Sequence, residues 1–363
     1  MTGRFVHTGQ VVIDLVMRVP ALPAPAGDVI ATSTDMLPGG GFNTMYAAAR
    51  AGAEVVYAGG HGPGRFGDTV RAALTAAGVA IALPPSAADT GICVVLVDGT
   101  GERTFVTSTD IEPPVDAAAF AALPLTAADL VYVSGYTLLA EPKASAVLDR
   151  LPGLRVLLDP GPLGFDAPGW DRALAHTAVL SCNAREARLM TGTADLAAAS
   201  AALARRLPPG AAVVVRDGAA GCLVTEDGRT EPVAGFPAEV VDTTGAGDTH
   251  CGVLAAELLR GAGLRTAARR ANAAASIAVT RPGPATAPAR AEVDACSLRR
   301  DVQVRRDLRR AQPDDELTRH GVAPPELRRA VGAHVAGADG RGDPQQLAGS
   351  SETVASPCTC TNA

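Results

Sequence analysis

The chain has one lysine, Lys143, among its 363 residues, and no glycine-rich GxxxxG precedes it. A P-loop needs that lysine on the nucleotide phosphates, so any nucleotide chemistry must come from another scaffold. No GxGxxG follows the first apolar run, Arg4 to Ile13, which removes the fingerprint of an NAD-dependent oxidoreductase. No later stretch approaches the roughly 20 apolar residues that span a bilayer. The opening residues, Met1 to Val12, alternate like a strand and lack the build of a signal peptide. Net charge is −6 with no basic run in the first 290 residues, which argues against nucleic acid or an anionic membrane as partner. The seven cysteines are scattered without a zinc spacing, as expected of reduced thiols, and Cys358 with Cys360 reads as part of a frayed tail rather than a metal site. A soluble, cytoplasmic protein with a small polar ligand is the expectation.

With 47% hydrophobic residues the chain can bury one large core or two modest ones. A strand over Arg4–Ile13 is expected to end at Asp14, followed by strand character at Asp28–Leu37, a glycine turn, a helix over Asn43–Ala51 and a short buried strand at Glu54–Ala58. A helix over Asp68–Ala77 precedes two strands, Ile92–Val97 and Thr104–Thr107, joined across Asp98-Gly99 as a hairpin. Apolar runs at Leu130–Val133, Val156–Leu158, Val179–Leu180 and Ala212–Val215 then alternate with alanine-rich helices at Ala144–Arg150, Ala184–Thr191 and Leu196–Arg206. That rhythm argues for an α/β domain with a mainly parallel sheet, while the hairpin and Asp28–Leu37 fall outside it and suit a small separate sheet. Helices over Ala246–Arg260 and Leu264–Thr280 follow. Beyond about Ala291 the composition turns arginine-rich and then Gly, Ser and Thr-rich, giving a C-terminal extension (291–363) with a partial helix at Leu298–Ala311 and otherwise disorder.

The strongest chemical signal is Asp242-Thr243-Thr244-Gly245-Ala246-Gly247-Asp248, set against a helix start. Small residues there leave backbone N–H groups open, and the helix terminus adds partial positive charge, so the turn can hold phosphate oxygens. Asp248 at its end can take a proton from an attacking hydroxyl; it can equally serve as a helix-start residue. Pro38-Gly39-Gly40-Gly41-Phe42-Asn43 also precedes a helix, where Asn43 can cap or bind a sugar hydroxyl. Asp14, at the expected C-terminal end of the first strand, lies where open parallel sheets hold ligands and can accept two hydroxyl hydrogen bonds from a polyol.

From about Phe5 to Pro288 the sequence resembles the ribokinase-like (phosphofructokinase-B type) carbohydrate kinases. Their N-terminal signature is similar to Gly39, Gly40, Gly41, Asn43, Gly52 and Gly62, and their C-terminal signature to Asp242–Asp248. The resemblance implies a Rossmann-like three-layer α/β/α domain over residues 1–290 with a small β-sheet lid from about 14–37 and 91–107. It implies sugar between the two and ATP along the C-terminal half. By the same carry-over Asp248 is the base, Gly245, Ala246 and Gly247 form the anion hole, and Asp14, Gly40, Gly41 and Asn43 hold the sugar. Arg103 could reach the substrate from the lid or stay solvated. Asn183-Ala184-Arg185-Glu186 looks like the Asn-x-x-Glu motif that helps place Mg²⁺ through water, and it also fits a capping box. Arg216, Gly218 and Gly221 fall at the nucleotide, Asn272 near the adenine or in solvent, and Asp242 beside a monovalent cation, potassium in many relatives. Family members often pair through the lid, which makes a homodimer an expectation.

Departures from the family pattern bear on the substrate. Ribokinases have a lysine after Gly-Gly and one more residue before the asparagine, where Gly41 and Phe42 stand here as a shorter variant; Met45 and Val253 replace small residues, and Gly60-His61-Gly62-Pro63-Gly64 replaces a Gly-x-Asp run. The expected reaction is transfer of the ATP γ-phosphoryl group to a sugar hydroxyl. A nucleoside kinase of the same family is the alternative, and a non-catalytic sensor would have lost Asp248 or its glycines, which are present.

Overall fold

The first strand is shorter than expected because the chain changes sheets. β1 (Phe5–His7) lies in a large sheet, and the chain crosses through Thr8–Gln10 to become β2 (Val11–Arg18) of a small one. In this computed structural model, which describes residues 3–108 and 114–311, the single expected strand over Arg4–Ile13 is therefore two. Two bonds pin the crossing: Gly41 N–H donates to the Gln10 carbonyl at 2.8 Å, and Val11 N–H donates to Tyr57 Oη at 3.2 Å. Asp14 consequently sits within the small sheet, opposite Leu37 and Cys93, and not at the end of a strand of the large sheet.

β3 (Ser33–Gly40) runs directly into α1 (Gly41–Arg50), followed by β4 (Val55–Tyr57), α2 (Arg65–Ala76) and β5 (Ala80–Ile81). The hairpin of β6 (Ile92–Val97) and β7 (Arg103–Thr107) forms as its Asp-Gly turn predicts. Next come β8 (Leu130–Ser134), β9 (Arg155–Asp159), β10 (Thr177–Asn183) and β11 (Ala212–Arg216), alternating with α3 (Ala117–Ala121), α4 (Lys143–Leu148), α5 (Trp170–Leu174), α6 (Ala184–Thr191) and α7 (Leu196–Ala204). A second hairpin that the pattern did not predict, β12 (Gly221–Glu226) and β13 (Arg229–Ala234), turns at Asp227-Gly228. The chain ends its described part in α8 (Ala246–Leu259), α9 (Leu264–Ala278) and α10 (Arg290–Ala311).

The large sheet has strand order β13-β12-β11-β10-β9-β8-β1-β4-β5, parallel except for β12 and β13. Its inner strands, β1, β4 and β8 to β11, are largely buried, and the period of two sorts their side chains into two cores. Leu130 and Tyr132 join one core with residues of α1, α2, α8 and α9, whereas Val131 and Val133 join the other with residues of α3 to α7. The small sheet, β3-β2-β6-β7, has its own modest core of Val12, Cys93, Val95 and Val97 and leaves Met36, Phe105 and Val106 exposed. Among the described residues no helix is long and apolar enough to cross a membrane.

One compact unit spans Met1–Gln303 and a second Val304–Ala363. α10 begins at Arg290, ahead of the expected Leu298, because Val293 has an apolar core to enter and is 1% exposed. The expected boundary at 290 thus falls inside the first unit. Cys358 and Cys360 lie outside the described residues.

Two helices meet at unusually close range. α8 is buried from Thr249 to Glu257, and a Cβ on Gly252 would lie 2.3 Å from the Thr44 carbonyl oxygen and 2.7 Å from Ala47 Cβ on α1. Only glycine permits that approach, because the obstacle is largely backbone. Gly252→Ala is expected to destabilise the protein by about 1–3 kcal/mol through overpacking. Urea unfolding followed by circular dichroism measures it, and an unchanged midpoint would show that the helices do not touch there.

Candidate active site

The two glycine-rich turns seen in the sequence become two helix starts that face each other. Gly40 precedes α1 with φ 58°, and Gly245 precedes α8 with φ 71°, both at positive φ, which glycine adopts without the steric cost of a Cβ. Asp248 is the third residue of α8, and its carboxylate meets the first turn of α1. Asn43 Nδ2 donates to Asp248 Oδ2 at 3.1 Å, and Thr44 Oγ1 donates to Asp248 Oδ1 at 3.3 Å. Burial raises the Asp248 carboxyl above its ordinary range, and Asp159 adds to this, while Asn43, Arg216 and Thr44 pull it back. Of the three expected anion-hole residues only Gly247 lines the cleft; Ala246 N–H is spent on the Thr243 carbonyl at 3.2 Å.

A cavity of about 230 Å³ lies in front of this carboxylate, lined by Gly40, Gly41, Thr44, Gly247 and Asp248 together with His7, Ser134, Asp159, Glu186 and Arg216. Arg216 is its fixed cation. Its Nη1 donates to Asp159 Oδ2 at 3.0 Å, to Ser181 Oγ at 2.6 Å and to Cys251 Sγ at 3.0 Å, and its Nη2 stands 4.0 Å from Glu186 Oε2. Cys251 is a packed thiol whose burial pushes its pKa up, so it is no nucleophile. Asn183 and Glu186 close a complete capping box, Glu186 N–H donating to Asn183 Oδ1 and Asn183 N–H to Glu186 Oε2, each at 2.8 Å. That box fixes the Glu186 carboxylate at the cleft.

The donor set distinguishes the two implied metals. Glu186 and Asp159 offer carboxylate oxygens at the cleft, and no group of three metal-ligating side chains exists among the described residues. This fits Mg²⁺ arriving on nucleotide phosphates with most of its water. Asp242 fits a monovalent cation poorly. Its Oδ1 accepts Thr244 N–H at 2.8 Å and also the Arg103 guanidinium, and its Oδ2 accepts Gly283 N–H at 3.0 Å.

Several expected positions lie elsewhere. Arg103 bonds Asp242 and does not line the cleft. Asn272, expected near the adenine or in solvent, is buried and donates to the carbonyls of Val233 at 3.0 Å and Ala234 at 3.3 Å, tying α9 to the end of β13. Gly218 and Gly221 shape the turn from β11 into β12, Gly221 at φ 101°, without lining the cleft. His61 and His250, which adjoin the motifs, are buried away from it. Conversely, His7, Ser134 and Asp159 escaped the motif reading. Each ends a parallel strand of the large sheet at its carboxyl end, a positional signal that needs the strand order to be read. His7 is neutral, its pKa driven down to about 3 by burial and then by Lys143, and its Nδ1 accepts Gly9 N–H at 3.2 Å.

Asp14, on β2 of the lid, does not line the cleft. Its carboxylate lies over Gly39, where a Cβ would be 2.0 Å away, and burial followed by the charge of Asp248 raises its pKa from 3.8 to about 6. The folded protein therefore binds this proton more tightly than the unfolded chain does. Asp14 costs stability above about pH 6, and the cost fades as pH falls through 6 towards 3.8. Asp14→Asn is expected to stabilise the protein at pH 8 by about 2 kcal/mol, a figure reduced for partial solvation, with no gain at pH 4. Thermal unfolding at the two pH values measures the difference, and equal shifts at both would refute the cause given.

Residues 4–291 match the family described as pfkB family carbohydrate kinase. A sugar kinase of Escherichia coli K12, YegV, is 30% identical over 293 residues, covering 78% of this chain and 91% of that one. Ribokinase of Haemophilus influenzae is 27% identical over 283 residues, covering 76% and 92%. The fold is similar to that of an E. coli protein described as a putative ribokinase II, solved with ATP and Mg²⁺, at TM-score 0.68 and 23% identity, covering 82% of this chain and 99% of that one. With facing glycine turns, a three-layer α/β/α body and a family match across nearly all of that body, the chain belongs to the pfkB family of carbohydrate kinases.

Proposed function

We propose that this protein transfers the γ-phosphoryl group of ATP to a hydroxyl of a sugar, with Asp248 as the base. The observation that carries the proposal is the placement of the Asp248 carboxylate, held by Asn43 and Thr44 and sharing one cleft with Gly247 and Arg216. The two donors orient the carboxylate and favour its ionised form, and its raised pKa brings it closer to that of a useful base. As the acceptor oxygen bonds to phosphorus, its proton passes to Asp248 and ADP leaves with the former bridging oxygen. The α8 N-terminus at Gly247 and the Arg216 guanidinium offset the negative charge of the phosphoryl oxygens. Asp159, Ser181 and Cys251 hold Arg216 in place, so no reorganisation is needed as charge develops. Glu186 and Asp159 would hold the water shell of Mg²⁺, which would supply charge neutralisation for the nucleotide phosphates. Asp14 and the Gly40-Gly41 turn hold the acceptor hydroxyls, with the lid excluding water. A cytoplasmic setting accords with the free cysteines among the described residues.

Asp248→Asn is expected to retain the fold by circular dichroism and to lose about 100- to 10,000-fold in kcat. A coupled ADP-release assay over pentoses, hexoses, sugar phosphates and nucleosides, with product NMR, reads both the rate and the acceptor. A near-normal rate in the variant would remove Asp248 as base, and phosphorylation of nucleosides alone would replace the sugar. The exposed Met36, Phe105 and Val106 of the lid also support a homodimer through that sheet. Sedimentation should give a dimer that Phe105→Glu converts to a monomer, and a monomeric parent protein would dispose of the dimer.

A further inference from the structure

We propose that Arg103 stands in for a monovalent cation at Asp242, so that phosphoryl transfer in this protein is independent of potassium and the lid is tied directly to the anion-binding turn. The inference rests on the phosphoryl-transfer reading. Asp242 opens the turn that ends in Asp248, and its carboxylate joins three segments distant in sequence. Thr244 N–H binds it from the turn itself, Gly283 N–H from the segment after α9, and the Arg103 guanidinium from the start of β7. The backbone of the turn is fixed as well: Val241 N–H and Asp242 N–H both donate to the Val279 carbonyl, at 2.8 and 3.1 Å.

The charge argument is direct. The Asp242 side chain is 10% exposed and the Arg103 side chain 26%. Burial opposes ionisation of Asp242, yet the amides of Thr244 and Gly283 with the Arg103 charge hold its pKa below the ordinary 3.8. An unneutralised carboxylate at the base of a turn built for phosphate would repel that phosphate, so a positive charge is required there. Arg103 supplies it covalently, from within the chain. With three of about four acceptor positions on the carboxylate taken, a free ion would have to enter beside a guanidinium that cannot lose its charge. The hairpin holds the arginine in position, because Asp98 Oδ1 accepts Thr100 N–H at 2.8 Å and Glu102 N–H at 3.2 Å, fixing the turn just before it.

The test compares the full-length protein in potassium, sodium and tetramethylammonium chloride at equal ionic strength, by thermal unfolding without ligands and by initial rates with the best acceptor. The unaltered protein is expected to melt at one temperature and turn over within about twofold in all three salts. Arg103→Ala is expected to lose on the order of 10-fold in rate in tetramethylammonium. Potassium should restore most of that rate and raise the melting temperature of the variant alone. Should Arg103→Ala fail to fold, Arg103→Lys, which keeps the charge, is expected to remain indifferent to potassium. A potassium-dependent melting temperature or a tenfold potassium activation in the unaltered protein overturns the proposal. So does an Arg103→Ala variant of normal rate, or one whose loss no cation repairs, since the arginine would then act as a latch only. If no acceptor is phosphorylated at all, the kinase reading fails, whereas the melting comparison still decides whether Asp242 takes a cation.

Discussion

The site depends on one contact between helix starts. α1 and α8 must approach closely enough for Asn43 and Thr44 to hold Asp248, and Gly252 is what lets their backbones do so. A larger residue at 252 would meet the Thr44 carbonyl, which belongs to the same residue whose hydroxyl is one of the two donors. Packing and chemistry are thus the same interaction at this point. The raised pKa of Asp248 follows from it, since the close approach removes solvent while two donors keep the carboxylate oriented.

Around that contact the large sheet acts as a rigid bench. Of the five adjacent parallel strands β1 and β8 to β11, four end in residues that line one cleft: His7, Ser134, Asp159 and Arg216. Arg216 has so many acceptors that its position is over-determined, which is what charge stabilisation without reorganisation requires. The lid contributes differently. It delivers Asp14 over Gly39 and clasps the anion-binding turn through Arg103 and Asp242.

Much of this was legible in local sequence. The alternation of apolar runs with alanine-rich helices led to the α/β body, Asp98-Gly99 to the hairpin, and the two glycine clusters to the facing helix starts. Three features were not legible. The split of Arg4–Ile13 into two strands depends on bonds to Gly41 and Tyr57, each remote in the chain. The β12–β13 hairpin is polar and exposed along much of its second strand, so it carries little periodic signal. Asn272 was expected near the adenine or in solvent; its burial against the carbonyls of Val233 and Ala234 depends on α9 packing beside β13, which local sequence does not record.

The sequence by itself determined most of the element types and the two glycine turns that open α1 and α8, because each is a local property of spacing, glycine freedom and helix polarity. Only the tertiary structure decided which strand ends share a cleft, and that Arg103 meets Asp242. Those outcomes turn on contacts across more than a hundred residues of chain, as between Arg103 and Asp242 or Asn43 and Asp248. Charge and burial act there through space, and spacing along the chain carries no record of them.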